Sequence, residues 1–358
     1  MIWRRERAAN RQALLNQCPQ RGALTLQEYV KLKFGIMSTA RIGRQFLIPA
    51  IQQADGAQLA GIASRDGKRA RKLADHFNAP LAFDSYESML ESPEIEAVYI
   101  PLPTSQHVEW AYKSIQAGKH VLVEKPLALN AREIGKLIRA RDKAGVTVSE
   151  AFMVTYHPQW LKVQSLLKQN AIGTLRRIDA SFTYFNVDAG NMRNQLALGG
   201  GALPDIGVYP TVCARFATGL EPVSVTAKVE FDPVFKTDRY ASVELQFAEV
   251  DMSFYVSTQM ANRQTMVFHG DKGFIEVSAP FNSNLYEGDE IRIHNAGHTE
   301  TRVFRYTGVN QYCLEVEAFC RAAAGRKQAL FTLEESVLNQ RVIDAIYKSG
   351  SSGKRVKV

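Results

Sequence analysis

The chain has 358 residues, a hydrophobic fraction of 46% and a formal net charge of +8. This length suits two domains of about 120 to 200 residues, and no apolar run approaches the roughly 20 residues that a membrane-spanning helix needs. The first residues carry arginines without the apolar core of a secretory signal, so we expect a soluble, cytoplasmic protein without a membrane partner.

The positive charge is concentrated at the amino end. Residues 1–33 hold seven Lys/Arg and two Asp/Glu, which leaves only about +3 for the rest of the chain. This surplus is too small for a polyanion track, so we expect no nucleic-acid partner. The four cysteines form no CxxC pair and no histidines stand at ligand spacing, so we expect neither a bound metal nor a redox motif.

Residues 1–32 show no sustained pattern and are predicted to be a basic N-terminal extension, either loosely ordered or packed as short helices. A transit peptide is the alternative. It is disfavoured because the segment lacks serine and contains Glu6 and Glu28.

From Leu32 onward, short apolar runs alternate with stretches of helical spacing. The runs are typical of strands that are buried on both faces. Strands are predicted at Leu32–Met37, Gln58–Ala63, Ala97–Leu102, His120–Val123 and Val146–Ser149. Helices are predicted at Ile42–Ala54, Gly67–Phe77, Ser105–Ala117 (capped by Ser105) and Asn130–Ala144. This alternation predicts right-handed βαβ units, and therefore an α/β fold whose residues 33–151 form a doubly wound parallel Rossmann sheet.

Residues 152–358 follow a different pattern, in which apolar and polar residues alternate. A helix is predicted at Pro158–Gln169, and closing helices at Tyr312–Ala324 and Leu333–Ser349. Strands are predicted at Arg177–Phe185, Val223–Phe231, Ala241–Ala248, Asp251–Thr258, Gln264–His269 and Gly273–Val277, the last two joined by a hairpin at 270–273. We expect an α+β domain with an open, mostly antiparallel sheet, whose closing helices can pack back on the first domain. Since such a sheet has an apolar face to cover, a homodimer or homotetramer through this sheet is expected.

The first predicted strand runs into Ser38–Gly43, which aligns with G-x-G-x-x-G but keeps only the last glycine. Glycines serve in this turn because the backbone must approach a pyrophosphate and a helix must begin at once. Ser38 and Ala40 are the smallest replacements. The segment predicts a dinucleotide site with contacts from residues 38–42, and an ordinary strand-to-helix turn is the alternative. The candidate residues are Ser38, Thr39, Ala40, Arg41 and Ile42.

The second predicted strand ends at Ser64-Arg65-Asp66, where a dinucleotide fold reads the adenosine ribose. Ser64 and Arg65 favour the 2′-phosphate of NADP over the 2′-hydroxyl of NAD. Asp66 argues the other way, because a carboxylate repels the phosphate. In the alternative interpretation Ser64 or Asp66 caps the next helix, and its basic residues, Arg69 among them, face solvent.

Two further segments carry candidate chemistry. Lys125 follows a buried strand at the ligand-facing edge of the sheet, where its ammonium can bind a substrate oxygen and lower the pKa of a neighbouring phenol. Gly199-Gly200-Gly201 indicates a closely approached backbone, and Asp205 and Tyr209 stand four apart on one predicted helix face. We expect Tyr209 to be the acid/base and Asp205 to orient it. The alternatives are a surface lysine and a glycine loop before a helix with a core tyrosine.

Several motifs in order carry a family resemblance over residues 33–358. They are Gly35–Gly43, Tyr99–Pro103 with His107, Ala117–Val121, Glu124–Pro126, Glu150–Met153, Tyr156–Pro158, Asn191–Arg193, Gly199–Tyr209 and Asn310–Tyr312. The pattern resembles the glucose-fructose oxidoreductase, inositol dehydrogenase and rhizopine-catabolism family, Gfo/Idh/MocA. It is most similar to the subgroup that contains glucose-fructose oxidoreductase, NADP-dependent xylose dehydrogenases and dimeric dihydrodiol dehydrogenases. Three residues depart from the family pattern. Ser38 and Ala40 replace fingerprint glycines, and Thr104 stands where asparagine is common.

The resemblance implies that Lys125, Asp205 and Tyr209 are the catalytic residues. It also implies NADP as the cofactor and a polyhydroxylated small molecule as the substrate, with cofactor contacts from further residues. These are Arg69, Pro101, Leu102, Thr104, His107, Glu124 and Lys125.

The expected chemistry is reversible hydride transfer between the cofactor and a CH–OH or C=O group of a sugar or cyclitol, as in an aldose 1-dehydrogenase. A tyrosine with a pKa of about 10 is a poor base, so Tyr209 needs the Lys125 cation nearby. Arg193 and Gln311, with Asp205 and Tyr209, are the candidates for binding substrate hydroxyls. A trans-dihydrodiol or dicarbonyl oxidoreductase and a non-catalytic NADP-binding regulator are the alternatives.

Overall fold

The computed structural model describes residues 31–283 and 288–358. Positions 1–30 of the predicted extension, residues 1–32, therefore lie outside the described residues, and so does Cys18. No helix within the described part of the chain is both long and apolar enough to span a membrane.

The first sheet has six parallel strands in the order β3-β2-β1-β4-β5-β6. Its strands are β1 Leu32–Met37, β2 Ala57–Ala63, β3 Leu81–Phe83, β4 Ala97–Ile100, β5 His120–Glu124 and β6 Val148–Ala151. A π-helical turn, Gly43–Leu47, leads into the first helix, and its helices are α1 Ile48–Gln53, α2 Gly67–Phe77, α3 Tyr86–Glu91, α4 Thr104–Gln116 and α5 Ala131–Ala144. The strand order reverses between β1 and β4, and ligands of doubly wound sheets bind at such a point.

The second sheet has nine strands in the order β14-β13-β12-β11-β7-β10-β9-β8-β15. Its strands are β7 Leu175–Phe185, β8 Ser224–Phe231, β9 Asp238–Gln246, β10 Asp251–Ser257, β11 Gln259–Gly270, β12 Gly273–Val277, β13 Asp289–Asn295, β14 Thr301–Tyr306 and β15 Val356–Lys357. Its helices are α6 Pro158–Lys168, α7 Val208–Thr218, preceded by a π-helical turn Leu203–Gly207, α8 Gln311–Ala323 and α9 Leu333–Ser352. Among the described strands of this second sheet, β7 and β10 pair in parallel and all other neighbours pair antiparallel. The predicted fold class and the hairpin at 270–273 are confirmed.

Short or peripheral elements escaped the sequence analysis. They are β3, α3, β13, β14 and β15, of which β3 and β15 have only three and two residues. The predicted cap of α4 is wrong: the helix begins at Thr104, and Pro103 precedes it without a side-chain cap. Proline at this position fixes the extended backbone that a helix start requires.

The apolar face of the second sheet is covered by helices of the same chain. Ile178, Phe182 and Phe254 from the strands share one core with Trp160 of α6 and Val342 of α9. The opposite face is polar around the pairing of β7 with β10, where Arg177 donates to Ser253, and Ser253 to Glu244. Helices of the same chain therefore cover the apolar face that the sequence predicted, and the homodimer or homotetramer stays a prediction.

The closing helices contact elements of the first sheet. Phe319 of α8 packs on Phe34 of β1 with ring centroids 5.9 Å apart, and Arg141 of α5 pairs with Glu334 of α9 at 2.7 Å. Residues 32–358 form one compact unit by their contacts. The boundary between residues 151 and 152 stays a prediction.

Candidate active site

A cleft of about 440 Å³ opens where the strand order of the first sheet reverses. It collects residues that follow β1, β2 and β4, as the fold rule for ligand sites requires. Its lining residues are Ser38, Thr39, Ala40, Ser64, Arg65, Asp66, Arg69, Tyr86, Pro101, Leu102, Pro103, Gln106 and Met192.

The turn after β1 keeps a glycine-like backbone without its first glycine. Ser38 has φ = +91°, in the left-handed region that glycine normally occupies. Its hydroxyl accepts the Ala40 N–H at 3.2 Å, which ties the turn together. The helix begins directly after this turn, so its free N–H groups face an anion site.

The segment after β2 serves as both helix cap and cleft wall. Asp66 Oδ1 accepts the N–H groups of Lys68 and Arg69 at 3.0 and 3.2 Å, which caps α2. Arg69 extends from this first turn and donates from Nη2 to Thr39 Oγ1 at 3.2 Å, across the cleft. Asp66 therefore caps the helix, as the alternative interpretation expected. Arg65 and Arg69 line the cleft.

Several residues predicted to contact the cofactor do not line the cleft, and their contacts with it stay predictions. Arg41 donates to Gln45 at 2.8 Å on the exposed side of the helix, and Ile42 does not line the cleft. Glu124 is buried and accepts the hydroxyl of Tyr99. Thr104 is 3% exposed at the start of α4.

His107 also does not line the cleft. Its ring is 1% exposed, with Nδ1 2.8 Å from the Pro126 carbonyl oxygen and Nε2 2.7 Å from that of Leu102. Burial lowers the pKa of the imidazole to about 4. The ring therefore lies between the segment after Lys125 and the segment after β4, and its contact with the cofactor stays a prediction.

Four lining residues were missed: Tyr86, Pro103, Gln106 and Met192. Pro103 ends the Tyr99–Pro103 motif but was not named as a cofactor contact, and Gln106 lies between that motif and His107. Tyr86 belongs to the missed α3. Met192 comes from the second half of the chain, and only tertiary structure brings it to this cleft.

Next to Met192, three polar side chains meet around the Asp205 carboxylate. Lys125 Nζ donates to the Asp205 carbonyl oxygen and, at 3.1 Å, to Oδ1. Arg193 Nε and the Tyr184 hydroxyl both donate to Oδ2, at 2.8 and 2.7 Å. The Lys125 and Asp205 side chains are 11% and 13% exposed, so this pairing is largely shielded from water. Tyr184 carried no sequence signal beyond its place in an alternating strand.

The charges around Asp205 decide its ionisation. Burial by itself raises the pKa of this carboxyl, but the cations of Arg193 and Lys125 and the Tyr184 hydrogen bond hold it well below its usual range. Asp205 is thus ionised throughout the neutral range and fixes three donors in place.

Tyr209 stands beside this network in an apolar setting. Its ring centroid lies 5.0 Å from Lys125 Nζ, and its ring packs against Phe152, Phe182 and Phe281. The hydroxyl is 3.8 Å from Met153 Sδ.

Two expectations about this tyrosine are therefore wrong for the described structure. Burial raises the pKa of the Tyr209 phenol well above its ordinary value, so the net shift is opposite to the lowering that the Lys125 ammonium was expected to produce. The carboxylate of Asp205 orients Tyr184, and not Tyr209.

The glycine run is closely approached, as its composition predicted, but by the protein itself. A Cβ added at Gly200 would lie 2.4 Å from the Arg193 carbonyl oxygen. The run therefore lets the chain that carries Arg193 pass directly over it. This packing sets where Arg193 meets Asp205.

Gln311 does not reach the cleft. It is 2% exposed at the start of α8, and Nε2 donates to the Phe281 carbonyl oxygen at 3.3 Å. Its contact with substrate stays a prediction.

Both halves of the chain are similar to known proteins. Residues 32–152 match the family model described as an oxidoreductase family with an NAD-binding Rossmann fold, and residues 160–276 match that of the GFO/IDH/MocA C-terminal domain. An uncharacterised oxidoreductase of Rhizobium meliloti is 39% identical over 90% of this chain and 98% of its own length. The NADP(+) D-xylose 1-dehydrogenase 2 of Haloferax volcanii is 34% identical over 91% of this chain and all of its own length.

A similar solved structure is the 3-ketoreductase of Actinomadura kijaniata in complex with NADP and TDP-benzene. It superposes with a TM-score of 0.82 at 27% identity, covering 89% of this chain and 98% of the other.

Proposed function

This chain belongs to the GFO/IDH/MocA oxidoreductase family, and from that premise we propose that it is an NADP(H)-dependent dehydrogenase of a sugar or cyclitol, such as an aldose 1-dehydrogenase. The observation that carries the proposal is the contact of Lys125 with Asp205 and with the ring of Tyr209 beside the cleft. The relatives that act on D-xylose and on a keto substrate support the same chemistry.

The cleft fits a dinucleotide. The turn at Ser38–Ala40 leads into a helix, whose N-terminal N–H groups suit a pyrophosphate. Bound there, the nicotinamide would supply the hydride acceptor or donor. The protein's part is to hold the substrate and to move the hydroxyl proton.

Arg65 and Arg69 favour the phosphorylated form of the cofactor. Both line the end of the cleft that follows β2, and guanidinium groups bind phosphate strongly. Asp66 also lines this end, but its Oδ1 accepts two N–H groups of α2, which directs the carboxylate to the start of the helix.

Lys125 is the group that binds the reacting oxygen. An ammonium has three donors, and Asp205 takes two of them through its carbonyl and carboxylate oxygens. The third is left for a substrate oxygen, where the positive charge stabilises the alkoxide that forms as the proton leaves. Asp205 keeps the ammonium from turning away.

Tyr209 is the candidate for the proton itself. Its raised pKa keeps the phenol neutral, so it can donate a proton to a carbonyl oxygen in the reductive direction. In the oxidative direction it needs the positive charge of Lys125 to accept one.

Arg193 suits the remaining hydroxyls of a polyol. Its side chain is 42% exposed and uses Nε on Asp205. Within residues 31–283 and 288–358 its two Nη groups have no hydrogen-bond partner, which leaves donors in a fixed fork beside the site.

The direct test is absorbance-monitored reduction of NADP by the purified protein with pentoses, hexoses, inositols and dihydrodiols, repeated with NAD. We expect turnover with a sugar or an inositol and a preference for NADP. Turnover confined to dihydrodiols would replace the substrate class, and tight NADP binding without turnover would favour a non-catalytic regulator.

The Lys125→Met variant tests the assigned role. Loss of the charge should lower turnover by about 100-fold or more, while NADPH affinity stays within a few fold because the cleft lining is untouched. Lys136→Met is the matched control, since Lys136 of α5 also lies over a tyrosine ring, that of Tyr112 on α4, and does not line the cleft. Unchanged turnover in Lys125→Met would refute the role.

A further inference from the structure

A second buried aspartate holds the segment that carries Asp205. Asp238, the first residue of β9, is 2% exposed. Its Oδ2 accepts the Leu203 N–H at 2.7 Å, and its Oδ1 accepts the Tyr347 hydroxyl at 2.6 Å. Leu203 begins the π-helical turn that contains Asp205, so the carboxylate caps this turn from outside.

Gly201 shows that the fit of this carboxylate is tight. Gly201 has φ = +142°, and a Cβ there would lie 1.9 Å from Asp238 Oδ1. The last glycine of the run therefore makes room for the Asp238 carboxylate and not for a ligand. The glycine run and the aspartate form one structural unit, although 36 residues lie between Gly201 and Asp238 in the sequence.

The backbone of this turn connects Asp238 to Lys125. Asp205 lies two residues after Leu203, and its own N–H donates to the Gly201 carbonyl oxygen at 3.2 Å. Both oxygens that receive Lys125 Nζ, the carbonyl and the carboxylate of Asp205, move with this turn. A shift of the turn by a fraction of an ångström would therefore change the lysine's position.

Holding this carboxylate in the core costs stability. Burial raises the pKa of Asp238 to about 6, against the hydrogen bonds from Tyr347 and Leu203. Tyr347 of α9 and Tyr184 of β7 are the titratable groups whose pKa values its charge raises in turn.

We propose that Asp238 is a positioning residue for the reaction: by fixing Leu203 and the glycine run, it sets the two Asp205 oxygens that hold Lys125. The inference rests on the proposed function, because it assigns Asp238 to the same site. We assign Asp238 no contact with substrate or cofactor, because it is 2% exposed and its two carboxylate oxygens accept the Leu203 N–H and the Tyr347 hydroxyl.

Hydrogen exchange tests the positional step without any turnover. In Asp238→Ala the amides of residues 203–209 should exchange about tenfold faster or more, because Leu203 N–H loses its acceptor. Asp232→Ala is the matched control, because Asp232 also accepts two backbone N–H groups, in the β8–β9 turn. Exchange at 203–209 that is unchanged in Asp238→Ala would overturn the proposal.

Kinetics test the functional step. We expect Asp238→Ala to lower kcat by about tenfold or more with the KM for NADP within twofold, and Asp238→Asn to restore most of kcat, because its amide oxygen still accepts the Leu203 N–H. Faster exchange with an unchanged kcat would overturn the proposal. So would a loss confined to the KM for NADP.

Further variants keep the two claims separable. If Asp238→Ala does not fold, Asp238→Asn and Tyr347→Phe decide, and Tyr347→Phe should raise exchange at 203–209 and lower kcat by a smaller factor. If the wild-type protein turns over no substrate in the panel, the proposed function fails, whereas the exchange measurements still decide whether Asp238 fixes the turn.

Discussion

Arg69→Gln gives the sharpest test of how the cleft distinguishes NADP from NAD. Arg69 lines the end of the cleft after β2, and its guanidinium already reaches Thr39 across it. A hydrogen bond to a charged group contributes about 1.5–3 kcal/mol. Loss of one such bond to the 2′-phosphate should therefore weaken NADP binding by about 10- to 150-fold.

The same change should leave NAD binding nearly unaltered, since NAD lacks that phosphate. Quenching or enhancement of nicotinamide fluorescence on titration with NADPH and NADH gives both affinities. The useful quantity is their ratio, in which any general disturbance of the cleft cancels. A higher salt concentration should reduce the preference for NADPH over NADH, and this reduction should be larger in the wild type than in the variant.

Arg71→Gln is the matched control on the same helix. Arg71 lies two residues further on, pairs with Asp75 at 3.5 Å and does not line the cleft. Its loss should change the ratio by less than about twofold. Equal weakening of NADPH and NADH by Arg69→Gln would show that Arg69 shapes the cleft through Thr39 and does not read the phosphate.

Two more changes probe the scaffold around the site. Burial raises the pKa of Glu150 from an ordinary 4.5 to about 7; the wild type therefore loses stability as the pH rises through this range, by about 3 kcal/mol in all. Glu150→Gln removes this loss, so its thermal midpoint should exceed that of the wild type at about pH 8.5 but not at about pH 5, and a constant difference would refute the assignment. Gly200→Ala should lower the midpoint by the equivalent of about 1–3 kcal/mol and raise the KM for sugar, because the Arg193 carbonyl must move; Gly297→Ala, whose Cβ makes only ordinary contacts at 3.7 Å, is its control.

The parts of the site that the sequence predicted are those fixed by strand ends. Ser38, Ser64 and Lys125 follow β1, β2 and β5 directly, and parallel strands bring their carboxyl ends to one edge. Once the strands were recognised, those positions followed. His107 shows the limit of this reasoning, because a spacing motif does not tell which face of α4 points to the cleft and which to the core.

Contacts between distant segments left no such signal. Tyr184 reaches Asp205 from β7, and Met192 reaches the cleft from a loop of the second half. Both depend on how the chain crosses between the two sheets. A pattern of local periodicity holds no information about that crossing.

The error about Tyr209 has a specific geometric cause. A spacing of four places two residues on one face of an α-helix, and this predicted Asp205 and Tyr209 as a pair. The chain instead makes a π-helical turn over Leu203–Gly207, in which the hydrogen bond spans five residues and the phase of the side chains slips. Such turns often occur at functional sites, and nothing in local periodicity reports them.

That slip has a chemical consequence. It frees the Asp205 carboxylate from Tyr209, so one anion receives Lys125, Arg193 and Tyr184. Two cations then share one carboxylate, and the group retains a net positive charge in a place that is largely shielded from water. Because electrostatic interactions are stronger where water is excluded, that charge stabilises negative charge that develops on a substrate oxygen. Burial keeps the Tyr209 phenol neutral for proton transfer, while the Lys125 ammonium beside it stays available for the oxygen that reacts.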